Sequence, residues 1–202
     1  MKRICLSLFA IIAFIAASCD PAVERVPLMA YQKQMIPYQK GQKVCFTDAK
    51  GDTSLFTTTD IQTEWNWDWT AFVKIWLQIY KVTLQSESDE QISLRVGAYS
   101  YDYFVLNDYY NRIYLMLKGF HFCLPFDCAG KFHTHATDEY TWDDDPMSLN
   151  NKWYVYDTLS INNKEYYDVV LEENEHRQLY YNKTYGILQV RQNGKDILTL
   201  QQ

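Results

Sequence analysis

The chain reads as an all-β protein: an antiparallel meander of about ten to twelve strands closing into a barrel, half-barrel or sandwich. Three observations predict this. Apolar and polar residues alternate with period two over most of the length, and turn-forming pairs such as Asn193-Gly194 interrupt the alternation. Seventeen Tyr, ten Phe and six Trp stand against only seven Gly and five Pro, a composition that favours strands over helices and over disorder. No segment carries a helical period longer than two turns.

The first element is an address and not a strand. Lys2 and Arg3 precede the apolar run Ile4 to Ala17, and Ser18-Cys19-Asp20 follow. A basic start, a short apolar middle and small residues before a cleavage point make a secretory signal. Fourteen residues are too few to cross a hydrocarbon core of roughly 30 Å at a helical rise of about 1.5 Å each. No later stretch reaches eighteen apolar residues, so no second span is expected. Ala16-Ala17-Ser18-Cys19 resembles the lipobox of bacterial lipoproteins, with Ala16 where that family usually carries Leu. The resemblance implies cleavage before Cys19, acylation of its thiol by palmitate-type chains, and anchoring to a membrane without spanning it. An ordinary export signal cut near the same place is the alternative.

Residues 1–18 are thus a signal peptide and 19–37 a tether, extended by Pro21, Pro27 and Pro37, with one β domain over 38–202. Removing the signal takes Lys2 and Arg3 and no acid, which moves the formal charge from −6 to −8. An acidic exported domain lacks the basic footprint that nucleic acid and anionic lipid headgroups require, so neither is an expected partner.

Strands follow from Val44. Val44 to Thr47, a turn at Asp48 to Asp52, and Ser54 to Thr59 make a first hairpin. Phe72 to Leu84 places Val73, Ile75, Leu77 and Ile79 on one face and Lys74 and Gln78 on the other, as in a half-buried strand. After Ser86 to Glu90, Ile92, Leu94, Val96 and Ala98 alternate with Ser93 and Arg95. Asn107-Asp108 turns the chain again, and Ile113, Leu115 and Leu117 begin another strand. Trp153 to Ile161, a turn at Asn162 to Lys164, and Tyr166 to Leu171 repeat the scheme. Tyr185 to Arg191 and Ile197 to Leu200 close it around Asn193-Gly194. The segments Asp157 to Tyr166 and Tyr180 to Leu188 resemble the closing hairpins of small β-rich lipoproteins from Bacteroidota. This pattern-level resemblance implies an envelope location, in the outer membrane, and transfers no catalytic residue.

Several clusters carry candidate chemistry. His121, Cys123, Cys128, His133 and His135 are soft ligands within fifteen residues, but their spacing fits no common zinc module. Leu124 to Asp127 read as a hairpin loop would set Cys123 opposite Cys128, near enough for a disulfide. Free buried thiols and a metal site on His121, His133 and His135 are the alternatives. Cys45, between Val44 and Phe46, reads as a small buried hydrophobe. Trp65, Trp67 and Trp69 alternate with Glu64, Asn66 and Asp68, so three indoles would share one side of a strand. They form either a core wall or a stacking platform for sugar rings. Asp138, Glu139 and Asp143 to Asp145 read as a solvated acidic loop, since they lack the spacing of a Ca²⁺ loop. Glu172, Glu173, Glu175 and His176 read as a charged turn.

Phosphate-binding loops, a nucleophile elbow and paired His on a helix are absent from the sequence, which lowers the expectation of a familiar enzyme. The resulting expectation is a lipid-anchored envelope protein with a non-catalytic binding or structural domain, no cofactor, and a glycan or an envelope protein as its partner. A glycan-binding module on the Trp ladder is the first alternative, and a metal-dependent enzyme on the three His the second.

Overall fold

The computed structural model describes residues 23–69, 74–100, 109–127, 129–132 and 151–201. Twelve strands and one short helix run in the order β1 (Val23–Val26), α1 (Ala30–Gln34), β2 (Lys43–Thr47), β3 (Thr53–Trp69), β4 (Lys74–Ser86), β5 (Gln91–Ser100), β6 (Tyr109–Leu117), β7 (Phe120–Phe126), β8 (Lys152–Ile161), β9 (Lys164–Glu173), β10 (Arg177–Asn182), β11 (Gly186–Gln192) and β12 (Lys195–Gln201). The expected class is what is found: a nearly closed, barrel-shaped antiparallel sheet. Its strand order is β7-β6-β5-β4-β3-β2-β12-β11-β10-β9-β8, with β1 added in parallel to β4.

Period-two alternation decides which residues fill the barrel. Val82 faces Ile61 on one neighbour and Leu94 on the other, Leu84 faces Ile92, and Ile113 faces Leu124. Side chains opposite one another lie on the same face, so these rows form one continuous interior. Phe46 and Phe56 meet edge to face there at 5.6 Å. Outward positions include Lys81, Arg95, His121 and Gln189, beside inward Val82, Leu94, Phe122 and Val190. These outward positions are polar where their inward neighbours are apolar.

β4 inverts the expected facing. Val82 and Leu84 point inward, whereas Leu77 and Ile79 lie on the other face, although both are buried. Cross-strand partners fix this, and the single-strand pattern could not reveal it. The stretch from Leu124 to Phe126 continues β7 and is not a hairpin loop; the turn comes later, where Lys131 O accepts the Asp127 N–H at 2.9 Å. At Asn193 (φ 50°) and Gly194 (φ 76°) both central residues have positive φ, the tight hairpin turn expected from the sequence.

The ladders give the barrel two unlike ends. Tight turns after β2, β4, β6, β9 and β11 lie at one end. At the other end are the turns after β8 and β10, the connections β3 to β4 and β5 to β6, and the incoming β1, which runs parallel to β4 from Lys74 inward. β7 and β8 are the edges of the sheet and run in the same direction.

The expected tether is, from Val23 onward, part of the fold. Met35, Ile36 and Tyr38 are buried in the core, and α1 carries the chain across the barrel mouth. Tyr181 Oη donates to Met35 O at 2.5 Å, and Ile187 N–H donates to Tyr38 Oη at 2.8 Å. Gln32 Nε2 donates to Asn111 Oδ1 at 2.6 Å, and Asn111 Nδ2 donates to Tyr31 Oη at 3.1 Å. The Tyr181 hydroxyl thus satisfies a carbonyl of the plug, the Tyr38 hydroxyl accepts from the main chain of the wall, and side-chain amides and hydroxyls tie the rest of the segment to the barrel.

Candidate functional site

Two places gather side chains whose chemistry exceeds packing: the extended end of the β3–β4 hairpin and the seam between β7 and the β8–β9 pair. At the first, a register shift between Thr58 and Asp60 marks a bulge. Before it the even positions Phe56 and Thr58 are inward; after it Ile61 is inward, and Thr63 and Trp65 follow on the same face. The bulge thus turns the odd positions from Ile61 to Trp65 onto the interior face of the strand. Trp65 has passed the packed core and is 41 % exposed. Opposite it is Gln78, with Trp76 and Tyr80 two positions to either side on β4.

The plug runs along this surface. Leu28 N–H donates to Gln78 Oε1 at 3.0 Å, and Lys33 Nζ sits 5.8 Å from the centre of the Tyr80 ring. Indole, phenol, hydroxyl, amide and ammonium therefore share one partly open face at the barrel mouth. Such a set offers flat apolar stacking beside hydrogen-bonding groups. Trp67 and Trp69 follow on β3 opposite Trp76 and Lys74, and only their backbone is described.

At the seam, side chains take the place of a main-chain ladder. Cys123 N–H donates to Glu172 Oε2 at 2.6 Å, and Trp153 Nε1 donates to Cys123 O at 2.8 Å. Glu172 Oε1 accepts from Asn151 Nδ2 at 2.7 Å, and Asn174 Nδ2 donates to Asn151 Oδ1 at 2.9 Å. Glu172 is 1 % exposed, and burial pushes its carboxyl up to about 8, against the opposing pull of the Cys123 N–H and the Arg177 charge. The Arg177 guanidinium stacks 5.2 Å from the centre of the Phe122 ring. Arg112, also buried, reaches the Cys123 thiol from β6, with Nη1 4.0 Å from Sγ.

Burial pushes the Cys123 thiol up to about 12, more than the nearby Arg112 charge lowers it. A thiol held protonated at neutral pH is a poor nucleophile, so this Cys serves the seam. Cys123 is only partly buried, and with its thiol held protonated we expect peptide mapping to find it alkylated by iodoacetamide at pH 8 far more slowly in the folded protein than in urea. Fast labelling of the folded protein would contradict the buried seam.

The remaining expected site residues divide as follows. Cys123 is a free thiol and so not in the expected bridge, while Cys128 lies outside the described residues. Cys45 is a free thiol too, only partly buried because Val44 and Phe46 take the inward positions on either side of it. His121 is exposed on β7 opposite Met116; His133, His135, Cys19 and the acidic stretch 138–145 lie outside the described residues. Among the described residues, no three His, Cys, Asp or Glu gather around one point. Glu172, expected in a charged turn, is instead a buried strand residue.

Sequence reasoning misplaced Glu172 and passed over Trp76 and Tyr80. The run Val169-Val170-Leu171 ahead of Glu172 signalled that the strand continues into the acids. Trp76 and Tyr80, in step with the ladder on the next strand, signalled a second aromatic row. No protein-family model matches the chain, and neither does any curated protein or solved structure.

Proposed function

We propose that the protein is a lipid-anchored component of the bacterial envelope, held through Cys19, whose barrel acts by binding or as a structural accessory and not by catalysis. One observation carries the non-catalytic part: the interior is a packed core, completed at its open end by the chain's own residues Met35, Ile36 and Tyr38. A barrel filled in this way presents its chemistry at its rim and outer surface. The signal-like leader and the Ala16-Ala17-Ser18-Cys19 sequence support the anchor.

Expression of the full chain in a host that processes lipoproteins tests the anchor. The expected intact mass is that of a chain starting at Cys19 plus its acyl groups, and Cys19→Ser should abolish both the cleavage and the added mass. An unacylated mature amino terminus would contradict it.

A second reading, a glycan-binding module, is favoured by the exposure of Trp65 beside Thr63 and Gln78. A glycan array probed with the folded domain should then show binding that Trp65→Ala removes. No signal from the unsubstituted protein would end this reading.

A further inference from the structure

We infer that the aromatic end of the β3–β4 hairpin rests on the bilayer that carries the lipid anchor, with Trp65 and Trp76 at the headgroup level. The inference builds on the proposed acylation of Cys19 and adds the orientation of the barrel and a second contact with the membrane.

The register of β1 carries the argument. Val23 pairs with Lys74 and Val26 with Leu77, in parallel. Lys74 is the first residue of β4 and pairs with Trp69, the last of β3, so Val23 lies at the hairpin tip. β1 runs from the tip inward, so its first residue, Val23, is the one at the tip. Four peptide steps separate Cys19 from Val23 and reach at most about 14 Å when fully extended. Acyl chains on Cys19 would therefore hold the tip within that distance of the membrane.

The tip rows suit that neighbour. Positions 65, 67 and 69 of β3 and 76 of β4 hold four of the six tryptophans in the chain. Trp65, opposite Gln78, stands four residues along from the Lys74 row, about 13 Å at ordinary strand rise. The four residues that join the strands, Thr70 to Val73, carry no charge in the sequence. Indoles combine an apolar body with one N–H donor, which places them at the boundary between headgroups and acyl chains. Buried aromatic surface adds to the attachment made by the acyl chains and fixes which way the barrel points.

The test uses the acylated full-length product in phosphatidylcholine vesicles whose acyl chains are brominated near the headgroup. Intact mass of the same sample first establishes acylation; an unacylated product would overturn the anchor and with it the inference. With acylation present, tryptophan emission should fall roughly twofold relative to unbrominated vesicles, since interfacial indoles lie within quenching range. The variant Trp65→Phe/Trp67→Phe/Trp69→Phe should lose most of that fall while keeping the thermal midpoint. Shielding of the unsubstituted protein's emission from aqueous acrylamide gives a reading that does not depend on the variant folding. An acylated protein with unquenched, acrylamide-accessible tryptophans would overturn the inference and leave the anchor standing. So would Trp65-dependent capture of a glycan by the vesicle-bound protein.

Discussion

Gly186→Ala should destabilise the domain by about 2–4 kcal/mol, a fall of roughly 5–15 °C in the thermal midpoint for a chain of this size. Gly186 opens β11 with φ at +78°, in the left-handed region. A side chain there costs about 1 kcal/mol in backbone strain alone. A Cβ would also collide with the hydroxyl end of the Tyr38 ring, which is fully buried and accepts the Ile187 N–H. The ring cannot move aside without breaking that bond and disturbing the plug, so overpacking adds to the strain. Gly194→Ala is the control. Its φ of +76° is nearly the same, but nothing lies within 4 Å of an added Cβ. It should cost only the backbone part, about 1 kcal/mol. Equal losses for the two variants in urea titrations would mean that Tyr38 is not seated against β11.

The second large effect is on pH dependence. Below about pH 4.5 Glu172 is protonated whether the chain is folded or unfolded, so it contributes no slope. Between there and about pH 8 the unfolded chain has released the proton while the buried carboxyl keeps it. Stability should therefore fall as pH rises across this window, by at most about 1.4 kcal/mol per unit and about 5 kcal/mol in all. Above the window the contribution is level again. Groups facing Glu172 are Asn151 and the Cys123 N–H, with the Arg177 charge favouring ionisation. Glu172→Gln keeps an acceptor for the Cys123 N–H and cannot ionise. Urea midpoints for this variant should be flatter from pH 5 to 8 than those of the unsubstituted protein. Parallel pH profiles for the two would show that Glu172 is not the proton-binding group of the seam.

These sites differ in how far the sequence discloses them. The β2–β3 and β11–β12 hairpins depend on neighbouring residues, and Asp48 to Asp52 and Asn193-Gly194 carry turn chemistry that any window exposes. The inward rows Ile92-Leu94-Val96 and Ile113-Leu115-Leu117 were equally plain, since period two is a local property. Glu172 was not, because its burial is created when β7, 49 residues away, comes round to meet β9. A run of acids gives no local sign of that. The plug was hidden for a related reason. Residues 27–38 have neither period, and Pro27 and Pro37 mark them as a linker, yet the cavity left by the barrel wall selects Met35, Ile36 and Tyr38 to fill it. The Trp ladder falls between these cases. Its alternation was visible, but the face that Trp65 occupies is set by the bulge after Thr58, and the exposure of Trp65 by where the core stops.

The plug is the common support of the fold and of the candidate site at the barrel mouth. Amide hydrogen exchange read by mass spectrometry over residues 30–38 and at Ile187 tests it most directly. Protection that persists for hours and is lost together with that of the β5–β6 core is the result the account predicts. Exchange of 30–38 within seconds, while the strands stay protected, would show a barrel that stands without its amino-terminal segment and would contradict it.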